Sequence, residues 1–147
     1  MYPPGLYVDF DYSKTNWFIW LYQDAAYLQS ALFTASAMTE RLQGKPFGKK
    51  TFFYLTKAMA CLSDQLSKPV PVIPDSTVFV VLFLVFMADV LGDQRAVETH
   101  ADGLRQMVRA RGGIESFRHD IKLYMKLSRY VTLLSLELMH WIFLSSF

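Results

Sequence analysis

Three histidines are the side chains in this sequence best suited to metal binding or acid–base chemistry. His100, His119 and His140 fall in three separate predicted elements, and neither an HExxH motif nor a pair of closely spaced cysteines accompanies them. A zinc site built on one helix or one turn needs such spacing. His119 and Asp120 form a doublet like that of metal-dependent phosphohydrolases, but those sites need several further histidines and carboxylates. We therefore predict no metal site and interpret Asp120 as the N-cap of the last helix.

The sequence shows no complete set of residues for nucleophilic catalysis. Cys61 is the single cysteine, and it falls inside an apolar helical pattern, where a small buried thiol is the usual explanation. A nucleophile also needs a nearby base and an orienting acid, which no local spacing supplies. Gly112 and Gly113 follow a helix, so their amides point the wrong way for a phosphate-binding site at a helix N-terminus. The sequence therefore predicts a protein that is not an enzyme and needs no cofactor.

The composition favours a chain with much apolar surface to bury. Hydrophobic residues make up 52% of the 147 residues and charged residues 19%, so the chain is more apolar than an average soluble domain. The formal net charge of +2 gives no field strong enough to attract nucleic acid, and we predict no direct DNA binding. The single cysteine indicates a reducing, intracellular compartment. The strongest membrane candidate, residues 77–88, is shorter than the roughly 20 residues that span a bilayer.

Apolar residues recur at three- and four-residue spacing along most of the chain, which is typical of amphipathic helices. The third predicted helix is apolar on every side and should be central and buried, with Asp75 or Ser76 as its N-cap. Its Val and Phe residues also suit a strand, an alternative that its length and caps disfavour. After the N-terminal arm at residues 1–14, the pattern predicts about five helices at residues 15–42, 51–67, 76–91, 93–111 and 120–145.

The predicted fold class is all-α, with the helices packed as successive antiparallel pairs in a bundle similar to helical-repeat proteins. Gly92 leaves only a very short connection between helices three and four. These two helices should therefore form a tight antiparallel pair.

The fourth helix has both of its ends marked in the sequence. Asp93 is a good N-cap, and Gly112 and Gly113 supply the left-handed residue that closes a helix, with Ile114 placed for an apolar contact across the cap. Gly103 in the middle costs roughly 1 kcal/mol against alanine. This cost predicts close approach of another segment at Gly103, which valine at that position would overpack. The face that should pack on a partner consists of Val97, His100, Ala101, Leu104, Met107, Val108 and Arg111.

A short motif runs along this helix and its end. After the Gly92-Asp93 pair it consists of His100, Gly103, Leu104, Met107, Val108, Arg111, Gly112 and Gly113. The motif resembles the fungal-specific transcription factor domain, the large helical regulatory region that follows a zinc-cluster DNA-binding segment in many fungal regulators. Weaker similarity extends upstream to the aromatic segment NWFIWLY and to the helix FYLTKAMACLSDQL.

The resemblance implies a non-catalytic regulatory or interaction domain that takes part in transcription regulation in the nucleus. The motif residues would then have a structural role. His100, Leu104 and Met107 are candidates for a pocket that binds a small-molecule effector, as the alternative to core packing. The zinc cluster of such regulators needs several cysteines, which this chain lacks, so another segment would contact the DNA.

Residues 15–147 are expected to form a helical regulatory-type domain that is incomplete at its C-terminus, because the last predicted helix is almost entirely apolar beyond Tyr130. A protein partner or self-association would cover that surface. Two alternatives to a transcriptional role stay open. One is a helical protein-interaction module with an exposed groove, and the other is a membrane-associated protein that uses the segments around Phe83 and Trp141.

Overall fold

The computed structural model of the chain describes residues 16–69 and 72–130. These residues form helices and no strand, so the predicted all-α class is confirmed. The helices are α1 (Asn16–Gln23), α2 (Ala25–Leu42), α3 (Lys49–Ser67), α4 (Asp75–Val90), α5 (Gln94–Ala110), a short 3-10 helix (Ile114–Phe117) and α6 (residues 121–130). The predicted arm at residues 1–14 and the predicted helix beyond residue 130 lie outside the described residues.

The chain divides into two compact units, Met1–Gln65 and Leu66–Phe147. The first unit contains α1, α2 and nearly all of α3, and the second contains α4, α5, the 3-10 helix and α6. Each unit has its own buried side chains.

The first predicted helix is two helices, α1 and α2, which meet at Asp24. Asp24 has extended backbone angles (φ −125°, ψ 106°), and its side chain accepts a hydrogen bond from the Tyr27 backbone N–H at 3.0 Å, which makes it the N-cap of α2. Trp20 and Tyr27 pack edge to face across the break, with ring centroids 5.4 Å apart. The prediction of one helix over residues 15–42 was wrong because the apolar spacing continues through a residue that caps well.

Hydrogen bonds near both ends join α2 and α3 as an antiparallel pair in the first unit. Glu40 Oε2 accepts from the Thr51 hydroxyl at 2.8 Å, and the Ser36 hydroxyl lies 2.5 Å from that of Thr51. At the other end, the side-chain amide of Gln65 donates to Asp24 Oδ1 at 2.9 Å. Thr51 is fully buried, so its hydroxyl needs these partners. The apolar core of the unit consists of Ala26, Tyr27, Phe33, Ala37, Ala58 and Leu62.

The second unit is organised around α4, as its apolar pattern predicted. Most of α4 is buried, from Ser76 in the first turn to Ala88 in the last. α5 packs against it, and the predicted antiparallel pair is confirmed. The buried residues of α5 are Val97, Ala101, Leu104, Met107 and Val108. Among the described residues, no helix has the length and apolarity that crossing a bilayer requires.

α5 ends in the way its two glycines predict. The Gly112 N–H donates to the Arg109 carbonyl at 3.0 Å, and the Gly113 N–H donates to the Val108 carbonyl at 2.9 Å. These are the two bonds of a Schellman motif, which satisfies carbonyls that a helix end otherwise leaves unpaired. Both glycines have positive φ, 97° and 99°, a region in which a Cβ atom is strained. At the start of the helix, Asp93 accepts from a backbone N–H at 3.0 Å, so the predicted N-cap is also confirmed.

Gly103 does not lie at a close contact, and this prediction from the sequence was wrong. A Cβ atom built on Gly103 meets no atom of residues 16–69 or 72–130 within 4 Å, so no segment that the structure describes requires the missing side chain. Sequence spacing fixes the position of a residue on a helix but does not show what lies opposite it.

We expect Gly103→Ala to raise the free energy of unfolding by up to about 1 kcal/mol, because alanine removes the helix penalty of glycine without creating a clash. Urea unfolding followed by circular dichroism measures the change. Gly112→Ala is the contrasting variant, since it places a Cβ on a residue with φ of 97° and should destabilise the protein. A loss of stability in Gly103→Ala would show that a segment does approach this glycine.

Pro74 occupies the N-cap position of α4, where the sequence had suggested Asp75 or Ser76. Pro74 has the extended angles that an N-cap needs (φ −62°, ψ 151°) and provides no side-chain cap. Its fixed φ and lack of an N–H suit this place at the start of a helix. Asp75 is therefore the first residue of α4, and its carboxylate binds two cationic side chains instead of capping the helix.

Candidate functional site

A cluster of charged side chains is centred on Asp75 in the first turn of α4. Asp75 Oδ1 lies 2.8 Å from Arg111 Nη1, and Asp75 Oδ2 lies 2.5 Å from His119 Nε2. The Asp75 side chain is 17% exposed, so both partners act in a poorly solvated place. The start of a helix also favours a carboxylate, because backbone N–H groups point toward it. We refer to Asp75, Arg111 and His119 as the Asp75 cluster.

Arg111 reaches the cluster from the C-terminal end of α5, where it is the C-cap residue. Its Nη1 atom donates two hydrogen bonds, one to Asp75 Oδ1 at 2.8 Å and one to the Ile73 carbonyl at 2.6 Å. The guanidinium lies over the Phe117 ring, 4.5 Å from the centroid, which adds a cation–π attraction. One side chain thus joins the segment before α4, the first turn of α4 and the 3-10 helix.

His119 has a hydrogen-bond acceptor next to each ring nitrogen. Nε2 lies 2.5 Å from Asp75 Oδ2, and Nδ1 lies 3.0 Å from the Ser116 carbonyl. A neutral imidazole has one donor, so it can satisfy only one of these acceptors, whereas the imidazolium donates to both. The hydrogen bond to Asp75 is the largest cause that raises the pKa of His119, and the nearby Arg111 acts in the opposite direction.

The arrangement resembles a histidine–aspartate catalytic pair. It differs from such a pair in what the second ring nitrogen of the histidine faces. In a catalytic pair, the acid holds one ring nitrogen and the other faces the substrate or nucleophile. Here the second nitrogen of His119 is directed at a backbone carbonyl, and the hydroxyl of Ser116 donates to the Gly113 carbonyl at 2.7 Å. Protonated on both nitrogens, His119 has no lone pair with which to accept a proton or bind a metal.

The described side chains form no metal-binding cluster. In residues 16–69 and 72–130, no three histidine, cysteine, aspartate or glutamate side chains come together closely enough to hold an ion. Cys61 is partly buried on α3.

The structure places the candidate effector-pocket residues on the packing face of α5. Leu104 and Met107 are buried in the core of the second unit. His100 is half-buried beside them, and this burial lowers its pKa, while the charge of Asp93 acts in the opposite direction. Core packing accounts for the positions of Leu104 and Met107. An effector pocket at these residues stays a prediction.

The sequence contained one signal of the Asp75 cluster, which was the position of Arg111. The helical pattern puts Arg111 on the packing face of α5, where a charged group needs a partner. Nothing local identifies that partner, because Asp75 lies 36 residues before Arg111 in the chain. Asp75 also follows a proline at a helix start, a position that helix capping explains equally well.

We expect the two described histidines to affect stability on opposite sides of pH 6.5. The pKa of His119 is raised above 6.5, so its stabilising contribution is complete below pH 6.5 and is lost as the pH rises through the folded value. The pKa of His100 is lowered, so its contribution is complete above pH 6.5 and is lost as the pH falls through the folded value. The His119 side chain is 51% exposed, which limits its effect to about 1 kcal/mol.

Urea unfolding at a series of pH values between about 5 and about 9 covers both ranges. His119→Asn should remove the loss of stability above pH 6.5, and His100→Asn should remove the loss below it. A His119→Asn variant that keeps the full alkaline loss would show that the His119–Asp75 bond does not contribute in solution.

Comparison with known proteins leaves the chain without a named relative. No known protein family, no curated protein and no solved structure matches it. The class that the described residues define is an all-α protein whose main polar cluster joins helix ends.

Proposed function

We propose that the chain is a non-catalytic regulatory and interaction module of a protein that regulates transcription in the nucleus. The observation that carries the non-catalytic part is the saturation of the Asp75 cluster. Both ring nitrogens of His119 and both carboxylate oxygens of Asp75 have partners within 3.0 Å. Acid–base chemistry needs a group within reach of a substrate proton, whereas here these groups hold helix ends together.

The transcriptional part of the proposal is supported by the resemblance of α5 to the fungal regulatory domain. Three motif residues have structural roles: Arg111 joins the Asp75 cluster, and Gly112 and Gly113 close α5. Leu104 lies in the packing between helices. An effector that reached His100 or Leu104 would therefore act by changing how α5 packs on α4.

Contact with DNA is assigned to another segment or another protein. The chain carries a net charge of +2 and a single cysteine. A small net charge gives weak electrostatic attraction to phosphate, and one cysteine cannot hold a zinc cluster. The module would act on transcription through the proteins or effectors that it contacts.

A tethered reporter assay tests the proposal. The full chain is fused to a DNA-binding domain of known specificity, and transcription of a reporter gene carrying that site is measured in fungal cells. We expect a severalfold change in transcription relative to the DNA-binding domain alone. An unchanged reporter, with the fusion present in the nucleus at the same level as the control, would contradict the transcriptional role.

Two variants make this assay specific. Arg109 lies on the exposed side of α5, so Arg109→Ala should keep the full effect on the reporter. Arg111→Ala disrupts the Asp75 cluster and should reduce the effect at equal protein abundance. If Arg109→Ala and Arg111→Ala change reporter transcription equally, the effect on transcription does not depend on the fold of the second unit.

A protein-interaction module unrelated to transcription is the second candidate, and exposed side chains on α3 favour it. Phe52 and Met59, seven residues apart on one side of the helix, are 54% and 41% exposed. Apolar side chains grouped on one surface are typical of protein-binding sites. Such a module would form a defined complex and leave the reporter unchanged.

A further inference from the structure

One side of α3 is exposed to solvent although it carries large apolar side chains. The opposite side is used by the first unit itself, since Thr51, Ala58 and Leu62 are buried. With about 100° of rotation per residue, the exposed positions of α3 spread over roughly 200° of arc, and five uncharged ones share about 100° of it. We call this surface the α3 exposed face, and it consists of Phe52, Thr56, Met59, Ala60 and Ser63.

The five residues of the α3 exposed face are uncharged and alternate large with small side chains, and the exposed Lys49 lies in the same arc at the start of the helix. Phe52 and Met59 are seven residues apart and form two projections. Thr56, Ala60 and Ser63 leave shallow spaces beside them. Helices pack by placing projecting side chains into such spaces on a neighbour. The face therefore contains both the projecting side chains and the spaces that a helix–helix contact needs.

We propose that the occupant of this face is the α3 helix of a second copy of the chain, packed antiparallel about a two-fold axis between Met59 and Ala60. In this register, Met59 of one copy lies over Ala60 of the other, and Thr56 lies opposite Ser63. A two-fold contact of this kind requires a self-complementary surface. The order of large and small residues on α3 meets that requirement.

Charge complementarity supports the antiparallel direction. Lys57 and Asp64 are exposed and lie on the same flank of the face, within about 20° of each other around the helix. An antiparallel two-fold axis brings this flank of one copy beside the same flank of the other. Lys57 of each copy then lies near Asp64 of its neighbour. In a parallel pair, the charged flank of one copy would lie beside the opposite, uncharged flank of the other copy, which carries Leu55.

The proposed dimer is separate from the proposed function. It depends on exposure and side-chain order in the first unit, whereas the transcriptional role depends on the motif in the second unit. An unchanged reporter would contradict the transcriptional role but not the dimer. A monomeric chain would contradict the dimer but not the transcriptional role.

Size-exclusion chromatography with light scattering on the full chain is the first test. The unmodified chain should be a dimer at micromolar concentration. Met59→Glu places two like charges beside the two-fold axis and should give a monomer with unchanged helix content by circular dichroism. Leu42→Glu is the matched control, because Leu42 is 83% exposed on α2 and should leave the dimer intact. A monomeric unmodified chain, a nonspecific aggregate, or a dimer that survives Met59→Glu would overturn the proposal.

Disulfide formation tests the direction of the pair. In a Cys61→Ser background, chains carrying Thr56→Cys or Ser63→Cys are oxidised alone and as a mixture. In the antiparallel register, like positions are about 10 Å apart, too far for a disulfide, whereas positions 56 and 63 face each other. The mixture should therefore cross-link, and each variant alone should not. Cross-linking of each variant alone, or no cross-linking in the mixture, would overturn the antiparallel arrangement.

Charge reversal tests independently whether Lys57 of one copy faces Asp64 of the other. Lys57→Glu alone and Asp64→Lys alone should each raise the dimer dissociation constant about tenfold, because each opposes two like-charge pairs. The double variant should recover most of the original affinity. If the double variant is weaker than both single variants, Lys57 and Asp64 do not face each other in the dimer and the proposed register is wrong.

Discussion

Replacing Arg111 with alanine is expected to lower the free energy of unfolding of the second unit by about 3–5 kcal/mol. The Arg111 side chain is 11% exposed, and its guanidinium binds Asp75 and the Ile73 carbonyl while lying over Phe117. Without it, Asp75 Oδ1 and the Ile73 carbonyl lose their donor in a place that water reaches poorly. Asp75 then keeps only the half-exposed His119 as a partner, and this partly uncompensated charge is the reason for the large effect.

Hydrogen exchange of the backbone amides of α4 and α5 measures this loss within the second unit. Arg109→Ala is the matched control: Arg109 lies in the last turn of the same helix and is exposed, so its effect should stay within about 0.5 kcal/mol. Arg111→Lys should fall between the two, because lysine keeps the charge but not the planar group that stacks on Phe117. Equal effects of Arg111→Ala and Arg109→Ala would show that the Asp75 cluster does not hold the unit together.

Phe79→Ala is expected to destabilise the second unit by about 3–5 kcal/mol through the cavity that it leaves in the core. Phe79 is 1% exposed and meets the Phe83 ring edge to face, with centroids 4.7 Å apart. The ring pair adds roughly 1 kcal/mol to the apolar burial. Lys126 Nζ also lies 5.9 Å from the Phe79 ring centroid, so the substitution removes a contact with α6 as well.

Phe86→Ala is the matched control for this prediction, because it makes the same change on the same helix. Phe86 is 36% exposed, and its loss should cost less than half as much, since less apolar area returns to water. Urea unfolding followed by circular dichroism compares the two variants. Similar losses at positions 79 and 86 would contradict the burial of Phe79 at the centre of the unit.

Asp75 and Phe79 lie on the same helix, α4. The Asp75 cluster therefore affects the packing of the buried core. Asp75 and Phe79 are four residues apart on α4, so they lie about one turn from each other. The cluster fixes the first turn of α4 against the end of α5, and the following turn buries Phe79. Loosening the cluster therefore disturbs the helix that the rest of the second unit packs around.

Short sequence patterns predict where the helices of the second unit begin and end. Asp93, Gly112 and Gly113 mark the ends of α5, because caps depend on the backbone of a few consecutive residues. The same kind of signal identified Asp120, whose Oδ1 accepts from the Leu123 N–H at 3.1 Å. The break at Asp24 was missed even though its signal is also local, since the apolar spacing runs on through it.

The all-α class, the buried position of α4 and its antiparallel pairing with α5 could be predicted from the sequence, because periodicity and a very short connection are properties of neighbouring residues. The roles of Arg111, Asp75 and His119 could not. Their roles depend on contacts between residues far apart in the chain, and the partner of a charged group is set by which helix ends meet. The open space beside Gly103 was decided in the same way, since an empty volume next to a helix leaves no mark in the sequence of that helix.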